Sequence, residues 1–175
     1  MTAAVAGPVV WVTGLPASGK TSVSMLLAEM IAQRGARPVT LDGDRLRPLI
    51  PMGDRYDGPA RLALARTYAG LAGEIAVQGH PVVCSTVSLF HEVHRWNRAN
   101  IANYVEVLLS IPADEQVRRA TLRQGGGSAP EGPIVGREIV AQMPESPDLL
   151  IDTTTVSAEA AAGLILARLV ERGQV

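Results

Sequence analysis

The chain is short of several residue types at once. Its 175 residues include one cysteine, one phenylalanine and one lysine, and aromatics make up only 3%. A lone cysteine cannot close an internal disulfide, so nothing points to an oxidising compartment and a cytoplasmic setting is expected. With few aromatics, Ala, Val, Leu and Ile must fill the core. The 16 basic and 17 acidic residues leave a net charge of −1. That balance argues against a nucleic-acid polymer as partner, since such binding works by neutralising phosphates. No uncharged apolar run reaches the roughly 18–20 residues of a membrane span. The first basic residue is Lys20, so neither a membrane nor a secretory leader is expected. What remains is ordinary globular material, 47% hydrophobic and 19% charged, of a length that predicts one domain over 1–175. The lysine count has its own meaning. Fifteen of the 16 basic residues are arginine, and the one compact ammonium is kept at position 20.

Apolar runs alternate with helical periodicity along the chain. Strands are predicted over 8–13, 38–41, 81–86, 104–111 and 149–152. They lack polar alternation, as strands buried on both faces do. Helices are predicted over 20–34, 60–78, 90–103, 112–123 and 157–172. The expected fold class is therefore α/β, a five-stranded parallel sheet with helices on both faces and right-handed crossovers. Residues 124–147 resist assignment, because Gly125, Gly126, Gly127, Pro130, Gly132 and Pro133 crowd into them. A break of this length in a small domain is read as a Gly/Pro-rich lid.

Between the first strand and the first helix stands Gly14-Leu15-Pro16-Ala17-Ser18-Gly19-Lys20-Thr21. It fits G-x-x-x-x-G-K-[ST] without mismatch. The glycines let backbone N–H groups converge on phosphate oxygens, and the helix beginning near Lys20 adds its positive end. Lys20 reaches the β- and γ-phosphates, and the Thr21 hydroxyl is placed to ligate Mg²⁺. This loop, with Ser22 behind it, is assigned to a nucleoside triphosphate. Guanine is read elsewhere by an N-K-x-D motif that needs a second lysine, so ATP is the expected nucleotide and Mg²⁺ its companion.

The second strand runs into Leu41-Asp42-Gly43-Asp44-Arg45-Leu46-Arg47. Ligands bind beyond the carboxyl ends of strands in open α/β sheets. Two carboxylates there, two residues apart across a glycine, can divide the work. One holds a Mg²⁺-bound water, and the other takes the proton of an attacking hydroxyl.

Taken together, GLPASGKT, LDGDRLR, an Arg-bearing helix, VSLF after the third strand and ESPDLLIDT resemble the adenylylsulfate kinase family over most of the chain, from Val9 to about Asp152. The resemblance implies a P-loop NTPase fold and transfer of the γ-phosphoryl of ATP to the ribose 3′-hydroxyl of adenosine 5′-phosphosulfate. It implies Asp44 as base, Asp42 as partner of the Mg²⁺-bound water, and Arg47, Arg61 and Arg66 as contacts to the acceptor nucleotide. Ser88, Leu89 and Phe90 match the family's acceptor turn, in which the aromatic stacks on the acceptor base. Relatives are often dimers, which brings a homodimer into view. Several family positions are altered here. An Asp and an Asn of the acceptor helix are missing, Leu89 stands for a Pro, and His91 for an Arg. Ser88 to Arg98 with Asn100, Ile101, Asn103 and Tyr104 is similar to a second branch, the cytidine diphosphoramidate kinases. The losses thus favour a non-sulfate acceptor.

Arg118, Arg119 and Arg123 lie where the fourth long helix meets the lid, and at least one is expected on the transferring phosphoryl group; Arg118 and Arg123 are assigned to ATP. Cys84 and Trp11 are expected in the core, and Arg95 and Arg98 on a solvated face. His91 and His94 are expected at the surface or against the acceptor. Two rival readings stay open: a non-catalytic ATP-binding switch module, and a small-molecule or antibiotic phosphotransferase on the same scaffold.

Overall fold

Val9, Val10, Trp11 and Val12 have no accessible surface, and a β-branched run covered on both sides settles as a central parallel strand. In the computed structural model, which describes residues 5–51, 53–124, 135–136 and 139–175, this run is β1 (Val9–Gly14). Chain order continues through α1 (Lys20–Gln33), β2 (Val39–Asp42), the one-turn α2 (Gly43–Leu46) and a 3-10 turn (Arg47–Leu49). Then come α3 (Gly58–Val77), β3 (Val82–Ser85), α4 (His91–Asn100), β4 (Tyr104–Ser110), α5 (Ala113–Gln124), β5 (Leu149–Asp152) and α6 (Ala158–Glu171). The five strands form one sheet in the order β2-β3-β1-β4-β5, every pair parallel.

Strand alternation sorts the core into two layers. Val10, Val12, Val83, Val105, Val107 and Leu109 face α1 and α6 through Leu27, Ile31, Ile165 and Leu169. Val9, Trp11, Val82 and Cys84 face α3 and α4 through Leu64, Tyr68, Ala72 and Val93. Burial pushes the Cys84 thiol up, so it stays an inert core group. Among the described residues no helix is long and apolar enough to cross a membrane.

The sequence reading placed every strand and long helix. It missed α2 and the 3-10 turn, which are too short to show periodicity. Nor did it start the acceptor helix at the right residue. The Asp57 side chain accepts from the Ala60 N–H at 3.0 Å and caps α3, which begins at Gly58, two residues before the predicted start. Gly58-Pro59 looks like a breaker, yet Pro is well suited to a first helical turn. Ser157 caps α6 in the same way, its Oγ accepting from the Ala160 N–H at 3.2 Å. Ser157→Ala should cost about 1 kcal/mol, seen as a lowered thermal midpoint without loss of activity.

Half of the predicted lid, 124–147, lies outside the described residues. The return limb does not. The Gln142 N–H donates to the Leu89 carbonyl at 3.1 Å, the His91 N–H to Gln142 Oε1 at 2.9 Å, and His91 Nε2 is 2.9 Å from the Met143 carbonyl oxygen. Arg98 reaches the Ser146 carbonyl at 3.0 Å. The polar face of α4 therefore straps this limb to the body through His91 and Arg98.

Glu106 was not foreseen at all. It sits in the apolar run of β4 at 2% exposure, with His94 Nδ1 at 2.9 Å, the Tyr104 hydroxyl donating at 2.8 Å and Arg98 Nη2 donating at 3.1 Å. Asp148 joins through the Glu106 backbone N–H at 2.8 Å and holds Arg172 at 2.6 Å. His94 is thus buried inside the fold, against expectation, whereas Arg98 is 45% exposed, as expected, and also pairs with Glu106 and Asp148. A buried carboxylate is tolerable only with such partners.

Candidate active site

The ends of β1, β2 and β3 open onto one cleft of about 1400 Å³. Its floor is the phosphate loop. A Cβ at Gly14 would stand 2.4 Å from the Leu109 carbonyl oxygen, so only glycine lets the chain leave the sheet there. Ala17 at φ 65° and Gly19 at φ 87° both take left-handed backbone, the geometry that turns successive N–H groups inward to form an anion cradle. The Lys20 side chain, 9% exposed, curls over the loop, and Nζ donates to the Leu15 carbonyl at 2.8 Å. A guanidinium is wider and planar and does not fit this curl. Lys20→Arg should therefore lower kcat/KM for ATP at least about tenfold, measurable at saturating acceptor.

Asp42 joins this loop to the next turn. Its Oδ2 accepts from the Thr21 hydroxyl at 3.1 Å. Its Oδ1 accepts from the N–H groups of Asp44 at 3.0 Å and Arg45 at 3.2 Å. One carboxylate thus caps α2 and meets the phosphate loop. Asp44, exposed and one residue past Gly43, lines the cleft beside Thr21 and Lys20.

The opposite wall is cationic and aromatic. The guanidinium carbons of Arg47 and Arg61 lie 4.6 and 5.4 Å from the centre of the Tyr56 ring. Arg47 is anchored by donating to the carbonyls of Gly53 at 2.8 Å and Arg55 at 2.9 Å, and Arg61 donates to the Tyr56 carbonyl at 2.8 Å. Burial and the nearby Arg47 charge pull the Arg61 pKa below its ordinary value. Two like charges held this close favour an anion between them. Phe90, half-buried, and Ser88, whose hydroxyl lies 2.8 Å from that of Thr86, complete the wall.

Of the sequence-predicted residues, Pro16, Ala17, Gly19, Lys20, Thr21, Ser22, Asp42, Asp44, Arg47, Arg61, Ser88 and Phe90 line this cleft together. Gly14, Leu15 and Ser18 shape the loop from behind. Three lie elsewhere. Arg66 pairs with Glu92 on the outer face of α3 and α4, its Nε donating at 2.6 Å. Leu89 is 1% exposed within the core. Arg118 is held on the surface by Glu115 at 2.6 Å. The cleft-lining arginine of α5 is instead Arg119, fixed by Glu115 Oε1 at 2.7 Å and the Thr153 carbonyl at 2.6 Å. Arg118 and Arg119 hold the Glu115 carboxyl down to about 2, so this clamp stays ionised at any working pH. The Arg123 side chain lies outside the described residues. Sequence reasoning also passed over Tyr56 and Tyr68. The rarity of aromatics was the available signal for both.

Comparison with known proteins agrees with this geometry. The profile of the family described as adenylylsulphate kinase matches residues 6–152. A cytidine diphosphoramidate kinase of Campylobacter jejuni is 32% identical over 63% of this chain and 65% of that protein. An adenylyl-sulfate kinase of Deinococcus deserti is 31% identical over 87% of this chain and 86% of that protein. Among solved structures, the APS kinase of Mycobacterium tuberculosis in complex with AMPPNP and APS superposes with a TM-score of 0.82. It is 26% identical and the match covers 94% of this chain and 98% of that one.

Proposed function

Since this chain belongs to the adenylylsulphate kinase family, a family of ATP-dependent phosphotransferases acting on an alcohol group, we propose that it moves the γ-phosphoryl of ATP onto the ribose 3′-hydroxyl of a nucleotide with a modified 5′ phosphate. The observation that carries this reading is the placement of Lys20 and Asp44 on one cleft, facing a wall with two arginines and two aromatic rings. The loop and Lys20 hold the donor's phosphates. Asp44 accepts the proton of the acceptor hydroxyl as its oxygen bonds to phosphorus and ADP leaves. Arg47 and Arg61 meet the acceptor's anionic 5′ group, and Tyr56 and Phe90 offer faces to its base. Arg119 stands on the donor side, beside the end of β5.

The residues present suit a hard divalent cation. The Thr21 hydroxyl and Asp42 carboxylate are oxygen donors 3.1 Å apart at the phosphate loop, which is the ligand chemistry Mg²⁺ takes. Thr21 would hold the ion directly and Asp42 through a water. The ion would neutralise charge on the phosphate tail.

Sulfate and phosphoramidate acceptors are both named among the relatives, and the altered acceptor turn favours the second. A steady-state panel tests this, with adenylylsulfate, cytidine diphosphoramidate, the unmodified nucleotides, and a set of sugars and small alcohols. The expected result is a kcat/KM for one 5′-modified nucleotide far above the rest. Turnover of a sugar or antibiotic with none of any nucleotide would overturn the nucleotide acceptor. ATP binding without turnover of any acceptor would leave a switch module.

A further inference from the structure

The turn that carries Asp42 and Asp44 is pinned at three points, and the third comes from an unexpected place. Asp42 is bonded to Thr21 at 3.1 Å. Gly43 presses on the end of β3, where an added Cβ would lie 3.1 Å from Thr86 Oγ1. The Gly43 carbonyl already accepts the Arg47 backbone N–H that closes α2, and it accepts a second hydrogen bond, from the Tyr68 hydroxyl at 3.2 Å.

Tyr68 lies on α3, seven residues beyond Arg61 and four beyond Leu64, so the three share one helical stripe. All three line the cleft. The ring is 3% exposed, packed in the layer with Val9, Trp11 and Cys84. It is therefore a rigid rod whose tip alone touches the turn. Burial, helped by the Asp44 and Asp42 carboxylates and opposed by Arg47, raises the hydroxyl above its ordinary value, so it remains a donor wherever the enzyme works. Asp44 itself is exposed and at the tip of a one-turn helix. Nothing in so short a helix would fix its direction without outside contacts.

We propose that Tyr68 is a positioning residue for the reaction: its hydroxyl, through the Gly43 carbonyl, aims the Asp44 carboxylate and ties the base to the helix that carries acceptor-binding Arg61. This rests on the reading of Asp44 as base. This role asks for no contact between Tyr68 and either substrate. It acts by holding a reacting group within the narrow range of orientations that proton transfer needs.

The test is a double-mutant cycle of Tyr68→Phe and Asp44→Asn, with kcat, both KM values and thermal midpoints measured for all four proteins. Phenylalanine keeps the buried ring and removes one hydrogen bond. Tyr68→Phe should lower kcat about three- to tenfold, with KM for ATP and acceptor within about twofold. In the Asp44→Asn background the same change should cost less than about twofold, because the group being aimed is gone. Unchanged kcat in Tyr68→Phe overturns the proposal while leaving Asp44 as base. So does an equal loss in both backgrounds, which marks a general structural role, or a raised KM at constant kcat, which marks an acceptor contact. A fully active Asp44→Asn removes the base itself, and with it the role given to Tyr68.

Discussion

Asp44→Asn is expected to lower kcat by about 10²- to 10⁴-fold, the range that positioned proton acceptors contribute. The substitution keeps size and hydrogen-bonding reach but removes the basic lone pairs. Asp44 donates its backbone N–H to Asp42 at 3.0 Å, and that bond survives. The phosphate loop, Lys20 and the Thr21–Asp42 contact are untouched, so ATP affinity measured by calorimetry should stay within about threefold. Loss of turnover with retained ATP binding separates a kinase from a switch module, whose partner interaction would not respond to this change.

A comparable effect is expected on stability from a residue far from the chemistry. Glu106→Ala should destabilise the fold by about 2–4 kcal/mol, because it leaves the buried His94 ring and Tyr104 hydroxyl without their acceptor and takes one of two carboxylates from Arg98. Urea denaturation at neutral pH reads this directly, and a loss under about 1 kcal/mol would mean that the network is no more than a surface-like pairing. The same carboxylate sets a pH dependence. Burial pushes the Glu106 pKa up, but bonds from His94, Tyr104 and Arg98 outweigh it and leave the group below its ordinary 4.5. A depressed carboxylate stabilises the fold above its unfolded value and loses that contribution as pH falls through its folded value. Asp148 is depressed too, burial being outweighed by the Glu106 N–H and Arg172. The wild-type urea midpoint should therefore drop steeply only below about pH 4.5, and Glu106→Ala should flatten that drop.

The parts of the molecule that were legible in sequence are those with short-range physical signatures. The loop from Gly14 to Thr21 announces itself because phosphate binding needs glycine and lysine at fixed offsets. The strands were legible because burial on both faces erases alternation. Side-chain direction on a helix was not. Arg66 and Arg61 are five residues apart, which is not a whole number of turns, so they point to different faces of α3, and only Arg61 reaches the cleft. Arg118 and Arg119 differ by one position, and the 100° between neighbours gives the cleft to Arg119. Glu106 was hidden for another reason. Apart from Tyr104, its partners come from α4 and the segment before β5, at separations no local pattern reports. The histidine- and arginine-rich stretch from Ser88 to Arg98 looked like acceptor chemistry, and much of it instead holds the return limb and this buried network.

These observations converge on one cleft where the phosphate loop after β1 meets the acidic turn after β2. The most direct measurement is a ³¹P NMR time course of protein, ATP and the best acceptor of the panel. The expected spectrum gains ADP and a phosphate monoester on the acceptor ribose in equal amounts. ADP accompanied by free phosphate, with the acceptor unchanged, would contradict the account.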